Sequence, residues 1–219
     1  MQIIEFSQTE FTEYLSDESR MNGRAVSLSF PKDEEEVAEI LKTMHSQGIP
    51  VTIQGARTGL SGGAVPNGGH ILNLSHMNRM KSLRYSKEED AFIICVQPGV
   101  VLADLKQALR EKNIVIPNSS KSTKKALALL KKTRNYFLPP DPTETLASIG
   151  GLVSCNASGA CSFAYGSIRP YIAGLCVVLA DGGIHHFLRG EHTCKEYRCE
   201  CLLNEERLSF DLPNQRVPD

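Results

Sequence analysis

Gly55-Ala56-Arg57-Thr58-Gly59-Leu60-Ser61-Gly62-Gly63-Ala64-Val65-Pro66 decides how this chain is read. Four glycines fall within nine residues, directly after the β-rich run Pro50-Val51-Thr52-Ile53-Gln54. Glycine tolerates positive φ, so successive backbone N–H groups can converge on one point. Such a nest seats phosphate oxygens. Arg57, Thr58 and Ser61 add a fixed charge and two hydroxyls at the same place.

Two familiar phosphate motifs are excluded. A Walker loop needs Gly-Lys-Ser/Thr at a set distance from the first glycine, and no lysine follows a suitably spaced glycine here. The Rossmann fingerprint needs G-x-G-x-x-G opening a helix. Here the glycines stand at 55, 59, 62 and 63, and Gly68-Gly69-His70-Ile71-Leu72-Asn73-Leu74 reads as a turn into a short strand. Locally, a glycine-rich surface loop and a phosphate nest both satisfy the pattern.

Upstream, Glu10 to Leu15 reads as a short helix and residues 24–30 as a strand. Asp33 and Glu36 form a capping-box pattern. Val37, Ile40, Leu41 and Met44 follow at helical spacing, and Gly48 closes the helix. The strand at 51–53 completes a strand–helix–strand unit, for which a parallel, right-handed crossover is expected. Downstream come a strand at 71–74, a polar stretch, the apolar run 91–96 and a turn at Gln97-Pro98-Gly99. Val101, Leu102, Leu105, Ala108 and Leu109 mark an amphipathic helix.

Residues 118–134 carry Lys121, Lys124, Lys125, Lys131, Lys132 and Arg134 around an apolar centre. A basic amphipathic helix can meet a membrane surface or an acidic partner. The simpler reading, a helix packed on one side and solvated on the other, is preferred. Pro139-Pro140-Asp141-Pro142 is stiff and extended, because proline fixes φ and lacks an N–H. A short helix start is expected over 143–148. It leads into the small-residue cluster Ile149-Gly150-Gly151-Leu152-Val153-Ser154-Cys155-Asn156-Ala157-Ser158-Gly159. Small side chains let backbone approach a flat ligand closely. Asp181-Gly182 signals a hairpin between residues 174–180 and 183–188. The tail from 189 to 219 is polar and cysteine-rich, and does not read as a packed element.

Composition narrows the function. With 219 residues, 41% hydrophobic, the chain can bury a sizeable core. A net charge of −1 gives no global field toward nucleic acid, and 6% aromatics without tryptophan gives no stacking platform. No apolar run approaches the ~20 residues of a membrane span, and the N-terminus lacks signal-peptide character. A cytoplasmic protein with no nucleic-acid partner is expected. Its seven cysteines are then reduced by default. His185, His186, His192, Cys194, Cys199 and Cys201 cluster late in the chain, but their spacing forms no clean C-x2-C pair. No metal site is expected. No Ser–His–Asp arrangement is legible.

Taken together, the motifs match a known family. The chain resembles the FAD-binding (p-cresol methylhydroxylase-type) domain of the vanillyl-alcohol oxidase superfamily. Its nearest branch is that of the glycolate oxidase FAD subunit and the D-lactate dehydrogenases. The carriers are residues 50–63, Val96-Gln97-Pro98-Gly99-Val100, Pro140-Asp141-Pro142-Thr143, residues 149–159, Tyr165-Gly166 and residues 174–182. They occur in consistent order over roughly residues 25–190.

The resemblance implies an α+β fold in two lobes with FAD between them. A small parallel β–α–β lobe (about 25–80) packs on a larger lobe (about 81–190) with a mixed, mainly antiparallel sheet. Residues 1–24 form a helical lead-in, 118–134 an insertion, and 191–219 a linker toward a substrate-binding cap domain. By position, Gly55, Ala56, Arg57, Thr58, Gly59, Ser61 and Gly62 hold the pyrophosphate. Pro140, Asp141, Pro142, Thr143, Ser148, Gly150 and Gly151 line the diphosphate and ribityl region. Ser154, Asn156, Ser158 and Gly159 border the ring end. Gly166 allows close approach, and the backbone of Val177 reaches the adenine side.

Arg57 stands in a stretch where many relatives carry consecutive glycines, and either meets a phosphate or points to solvent. Thr58 occupies the place where some relatives attach FAD through a histidine, so non-covalent FAD is expected. The implied activity is oxidation of a small 2-hydroxy acid by hydride transfer to FAD, with the substrate reached through the cap. An iron–sulfur subunit is a candidate electron acceptor. No catalytic residue is nominated, because in the family those residues lie mostly in the cap. A non-catalytic flavin or electron-transfer scaffold and a different nucleotide-binding domain are the alternatives.

Overall fold

The computed structural model describes residues 3–5, 11–139, 143–191, 194–195, 198–203 and 206–211. Its first sheet has four strands: β1 (Ile3–Glu5), β2 (Ser27–Ser29), β3 (Val51–Gln54) and β4 (His70–Asn73), in the order β1-β2-β4-β3. β2 and β3 both run parallel to β4, and β1 pairs antiparallel with β2. The expected strand–helix–strand unit is therefore present, with β4 inserted between its two strands.

Helix α1 (Glu34–Ser46) connects β2 to β3. Asp33 Oδ1 accepts from the Glu36 N–H at 2.9 Å. The reciprocal arm reaches one residue further out, where Glu36 Oε2 accepts from Lys32 N–H. Three glutamates in the first turn complement the helix dipole. Val37, Ile40 and Met44 bury against Leu72 and Met77, while Leu41 is half-buried. Gly48, at φ 64°, leaves the helix in the conformation glycine adopts most easily.

All four residues of β4 are buried, two of them polar. His70 is fully enclosed between two hydroxyls, with Ser27 Oγ 2.8 Å from Nδ1 and Ser29 Oγ 2.7 Å from Nε2. β2 and β4 are in register Ser27↔His70 and Ser29↔Leu72, which sets both serines beside the ring. Burial disfavours the imidazolium and lowers the His70 pKa to about 4.

β5 (Met80–Ser86) pairs antiparallel with β6 (Ala91–Val96). β5 lies in the stretch that reads only as polar. Its core contribution is a single fully buried residue, Leu83, too little to stand out in the sequence. Helix α2 (Leu102–Glu111) follows, and then α3 (Lys121–Lys132), capped by Ser120 Oγ accepting from Thr123 N–H. α3 packs Ala126 and Leu130 on Leu83, Ile114 and Ile116 and leaves its lysines exposed. At the β5–β6 turn, Asp90 accepts from Tyr85 Oη at 2.6 Å and Tyr136 Oη at 2.9 Å, and pairs with Arg134 at 2.5 Å. These bonds lower the Asp90 pKa, and the bond to Asp90 is the main reason the Tyr85 pKa is pushed up to about 12.

Residues 143–148 form turns rather than a helix start. The helix begins one residue later as α4 (Ile149–Ser154), followed by α5 (Ser162–Tyr165). β7 (Gly174–Val178) and β8 (Ile184–Leu188) form the expected hairpin, with Asp181 Oδ1 accepting from Gly183 N–H. The pairs β5–β6 and β7–β8 thus form separate two-stranded ribbons. The tail departs from the expectation of an unpacked linker. β9 (Cys194–Lys195), β10 (Arg198–Leu203) and β11 (Glu206–Asp211) make a three-stranded antiparallel sheet. The expectation of reduced thiols fails at Cys199, which is disulfide-bonded and stands in register with Cys194. Strand pairing supplies a proximity that sequence spacing does not. Cys95, Cys155, Cys161 and Cys176 are free. His192 and residues 212–219 lie outside the described residues. No described helix is long and apolar enough to cross a membrane, and no three metal-ligating side chains come together among the described residues.

The His70 arrangement yields a pH prediction. Its pKa falls from 6.5 in the unfolded chain to about 4 on folding, so the unfolded state takes up the proton first as pH drops. Stability contributed by neutral His70 is complete above pH 6.5 and declines toward pH 4, at up to about 1.4 kcal/mol per pH unit. Urea unfolding between pH 7.5 and 4.5 should show this slope, and His70→Gln should flatten it.

Candidate functional site

β3 delivers its last residue, Gln54, into the interior, where the amide is fully buried. Nε2 donates to the carbonyl of Tyr14 at 2.8 Å and to that of Ala64 at 2.7 Å. Oε1 accepts from Asn73 Nδ2 at 3.3 Å, and Asn73 Nδ2 also lies 3.5 Å from the Gly55 carbonyl. Two buried amides at the ends of neighbouring parallel strands thereby close both ends of the glycine loop. They also tie the loop to the segment around Tyr14.

Within the loop the carbonyls turn inward. Gly55 O faces Asn73, Arg57 O accepts from Glu18 N–H, Gly62 O from Val65 N–H and Ala64 O from Gln54. Among the described residues, no backbone N–H from Ala56 to Ala64 donates to an acceptor. Backbone N–H groups without a protein acceptor, beside carbonyls bound by protein donors, are what an anion nest requires. Gly62, at φ 75°, and Arg57, at φ 59°, supply left-handed turns within it. A Cβ at Gly59 would meet no atom within 4 Å, so this part of the loop faces open space.

The two glycine clusters meet. A Cβ at Gly55 would stand 2.2 Å from Ser148 Oγ, so only glycine permits the approach. Ser148 is buried, caps α4 by accepting from Gly151 N–H at 3.3 Å, and bridges to Val101. The Pro98–Gly99 turn braces the junction from behind. Gly150 N–H donates to Pro98 O, and Ile149 N–H to Val100 O. A Cβ at Gly99 would come within 2.2 Å of Leu74 O.

Other expected site residues behave differently. Arg57 is half-buried, and its guanidinium lies over the ring of Tyr14. Its Cζ lies 4.4 Å from the Tyr14 ring centroid, in cation–π geometry. Ser154 Oγ donates to Gly150 O, and Asn156, at φ 47°, accepts from Arg169 N–H through Oδ1. Ser154 and Asn156 join Val153, Arg169, Ile172, Leu175 and Arg189 around a pocket of about 220 Å³. Ala56 and Thr58 are half-buried in the loop, and Ser61 is exposed. Ser158 and Gly159 lie between α4 and α5, and Gly166 ends α5 at φ 72°, ψ −157°, a region almost restricted to glycine. Val177 is on β7, paired with His185, whose Nε2 is buried without a partner among the described residues. Thr143 is exposed. Pro140, Asp141 and Pro142 lie outside the described residues.

Sequence reasoning passed over Tyr14, Gln54 and Asn73 as site-shaping residues. Polar amides closing two β-strands beside a glycine loop were the available signal.

Comparison with known proteins settles what this frame belongs to. The family described as "FAD binding domain" matches residues 27–128 and 123–188. The chain belongs to this FAD-binding domain family. The two matched stretches meet within α3, where the insertion was expected. A D-lactate dehydrogenase of Anaerostipes hadrus is 38% identical over 151 residues, covering 68% of this chain and 26% of that protein. Glycolate oxidase subunit GlcD of Bacillus subtilis is 31% identical over 156 residues, covering 70% and 28%. The chain thus spans little more than a quarter of these relatives. Among solved structures, 6-hydroxy-D-nicotine oxidase from Arthrobacter nicotinovorans superimposes with a TM-score of 0.63 at 17% identity, covering 87% of this chain and 36% of that one. A chitooligosaccharide oxidase gives 0.61 at 16% identity, covering 86% and 36%. These structures share the fold.

A FAD-binding domain needs donors for the diphosphate, and the unpaired backbone N–H groups of residues 56–64 fit that need. Replacing Gln54 with leucine removes two donations and strands buried carbonyls, costing ~2–4 kcal/mol of stability. Chemical denaturation of Gln54→Leu against the parent chain checks this value.

Proposed function

We propose that this chain is the FAD-binding portion of a flavin-dependent oxidoreductase that oxidises a 2-hydroxy acid of the glycolate or D-lactate type. The observation that carries the reading is a loop whose carbonyls at 55, 57, 62 and 64 are bound by protein donors, while its backbone N–H groups from 56 to 64 donate to no acceptor among the described residues. Backbone N–H groups of Gly55, Ala56, Thr58, Gly59, Ser61 and Gly62 hold the diphosphate. Ser148, Gly150 and Gly151, with Thr143 and the preceding Pro140-Asp141-Pro142, line its other side. Ser154, Asn156, Ser158 and Gly159 border the ring end, while Gly166 and Val177 complete the cradle.

When bound, FAD supplies the hydride-accepting chemistry. The chain's own part is to fix the cofactor through preorganised donors and to exclude bulk from the close approach at Gly55 and Ser148. Binding is non-covalent, because Thr58 offers no histidine nitrogen for a flavin bond. The 2-hydroxy acid class is supported by the names of the relatives, which are D-lactate dehydrogenases and a glycolate oxidase subunit. We infer that substrate contacts come from a cap domain and that electrons leave through a partner subunit of iron–sulfur type. The name of the Bacillus relative as a subunit supports a partner. Domain limits follow the same reading, with the FAD-binding unit at 25–190.

Flavin uptake tests the proposal. Purified protein titrated with FAD should gain a flavin spectrum that acid releases into the supernatant; an absence of uptake would reject it. Gly59→Val should lower FAD affinity at least tenfold with the melting temperature within about 2 °C of the parent, because a Cβ at this position meets no protein atom within 4 Å. Equal affinity in this variant would remove the loop from the site.

A further inference from the structure

Arg57 is a long side chain in a backbone position better suited to glycine. Its φ of 59° lies in the left-handed region, which non-glycine residues enter only when their surroundings hold them there. Two contacts supply the hold. The Arg57 carbonyl accepts from Glu18 N–H at 3.2 Å. Its guanidinium carbon lies 4.4 Å from the centroid of Tyr14. Tyr14 in turn is fixed from two sides. Its carbonyl accepts from the buried Gln54 amide, and its ring meets Phe30 edge-on with centroids 5.3 Å apart, Phe30 itself stacking on His76 at 4.8 Å.

We propose that Tyr14 is a positioning residue for the nucleotide loop. Its ring holds the Arg57 cation and so keeps Arg57 left-handed. A left-handed residue in such a loop turns successive N–H groups to one side. Tyr14 therefore maintains the loop's donor groups without touching the cofactor. The charge of Arg57 rests on the Tyr14 face, and the diphosphate is met by backbone amides alone. The segment from Phe11 to Gly23 is then a working part of the site. Beyond the Tyr14 contact, Glu18 N–H bonds to Arg57 O and Gly23 N–H to Leu15 O. A Cβ at Gly62 would come 2.8 Å from Met21 Sδ. This inference rests on the reading of residues 55–62 as the FAD site.

A double-mutant cycle on FAD affinity, read by quenching of flavin fluorescence, tests it. Tyr14→Ala should raise the dissociation constant about tenfold. Tyr14→Phe should restore it to within twofold, since phenylalanine keeps a π-face for the cation. In an Arg57→Gly background, where glycine holds the left-handed turn unaided, Tyr14→Ala should cost less than threefold. A tenfold loss in both backgrounds would overturn the proposal in favour of Tyr14 acting through Phe30 alone. A Tyr14→Ala protein with parental affinity, alongside a tenfold loss in Arg57→Gly, would overturn it in favour of a direct phosphate contact. Trypsin cleavage after Arg57 gives a readout that needs no cofactor. Tyr14→Ala should be cut at least fivefold faster than the parent and Tyr14→Phe, and equal rates would reject the tether. If the parent chain takes up no FAD, the functional reading fails, and the cleavage rates still decide whether Tyr14 holds the loop.

Discussion

The Gln54 side chain is the constraint on which the rest depends. It is an uncharged amide with no access to water, so each of its polar atoms must find a partner inside the protein. Its partners are the carbonyls of Tyr14 and Ala64 and the amide of Asn73. Those three residues belong to different stretches of chain, and one buried group sets their spacing. β3, β4, the glycine loop and the segment before β2 are thereby bound to a common point. The loop is held by bonds to its carbonyls, which leaves its amides from 56 to 64 without a protein acceptor among the described residues.

Close backbone approach is the second organising fact. At Gly55, Gly99 and Gly150 a Cβ would fall within 3 Å of Ser148, of the Leu74 and Met77 carbonyls, and of Pro98 respectively. These contacts link the glycine loop, the turn after β6 and the start of α4, which are separated by some ninety residues of chain (55 to 150). The glycines here serve chiefly to let segments touch. Conformational freedom is the issue only where φ is positive, as at Gly62 and Gly166. Ser148 stands at the junction and performs two tasks, filling the space beside Gly55 and capping α4.

The basic helix α3 packs on the frame without entering the contact between Gly55 and Ser148. α3 buries Ala126 and Leu130 against β5 and the residues after α2, and presents its lysines to solvent. Its exit is pinned by Arg134 and Tyr136 to Asp90 in the β5–β6 turn. The two family matches overlap within this helix, at 123–128.

The sequence by itself determined the local devices. The Asp33 cap, the periodic stripe Val37, Ile40 and Met44, the Gly48 stop and the Asp181-Gly182 hairpin each depend on neighbours a few residues away, and each is found. The order of the glycine and proline motifs also determined the family, because several weak signals in one arrangement exclude other folds. Tertiary structure decided what depends on distant partners. β5 pairs despite its polarity because β6 lies beside it and Leu83 alone needs burial. The tail forms a sheet, and Cys199 is oxidised, because strands bring together residues whose spacing suggested a linker. Arg57 shows the limit most clearly. Its charge and its place in a phosphate-like loop are legible in the sequence, but a cation goes to whichever partner the fold presents. Here that partner is the ring of Tyr14, forty-three positions earlier in the chain (57 − 14).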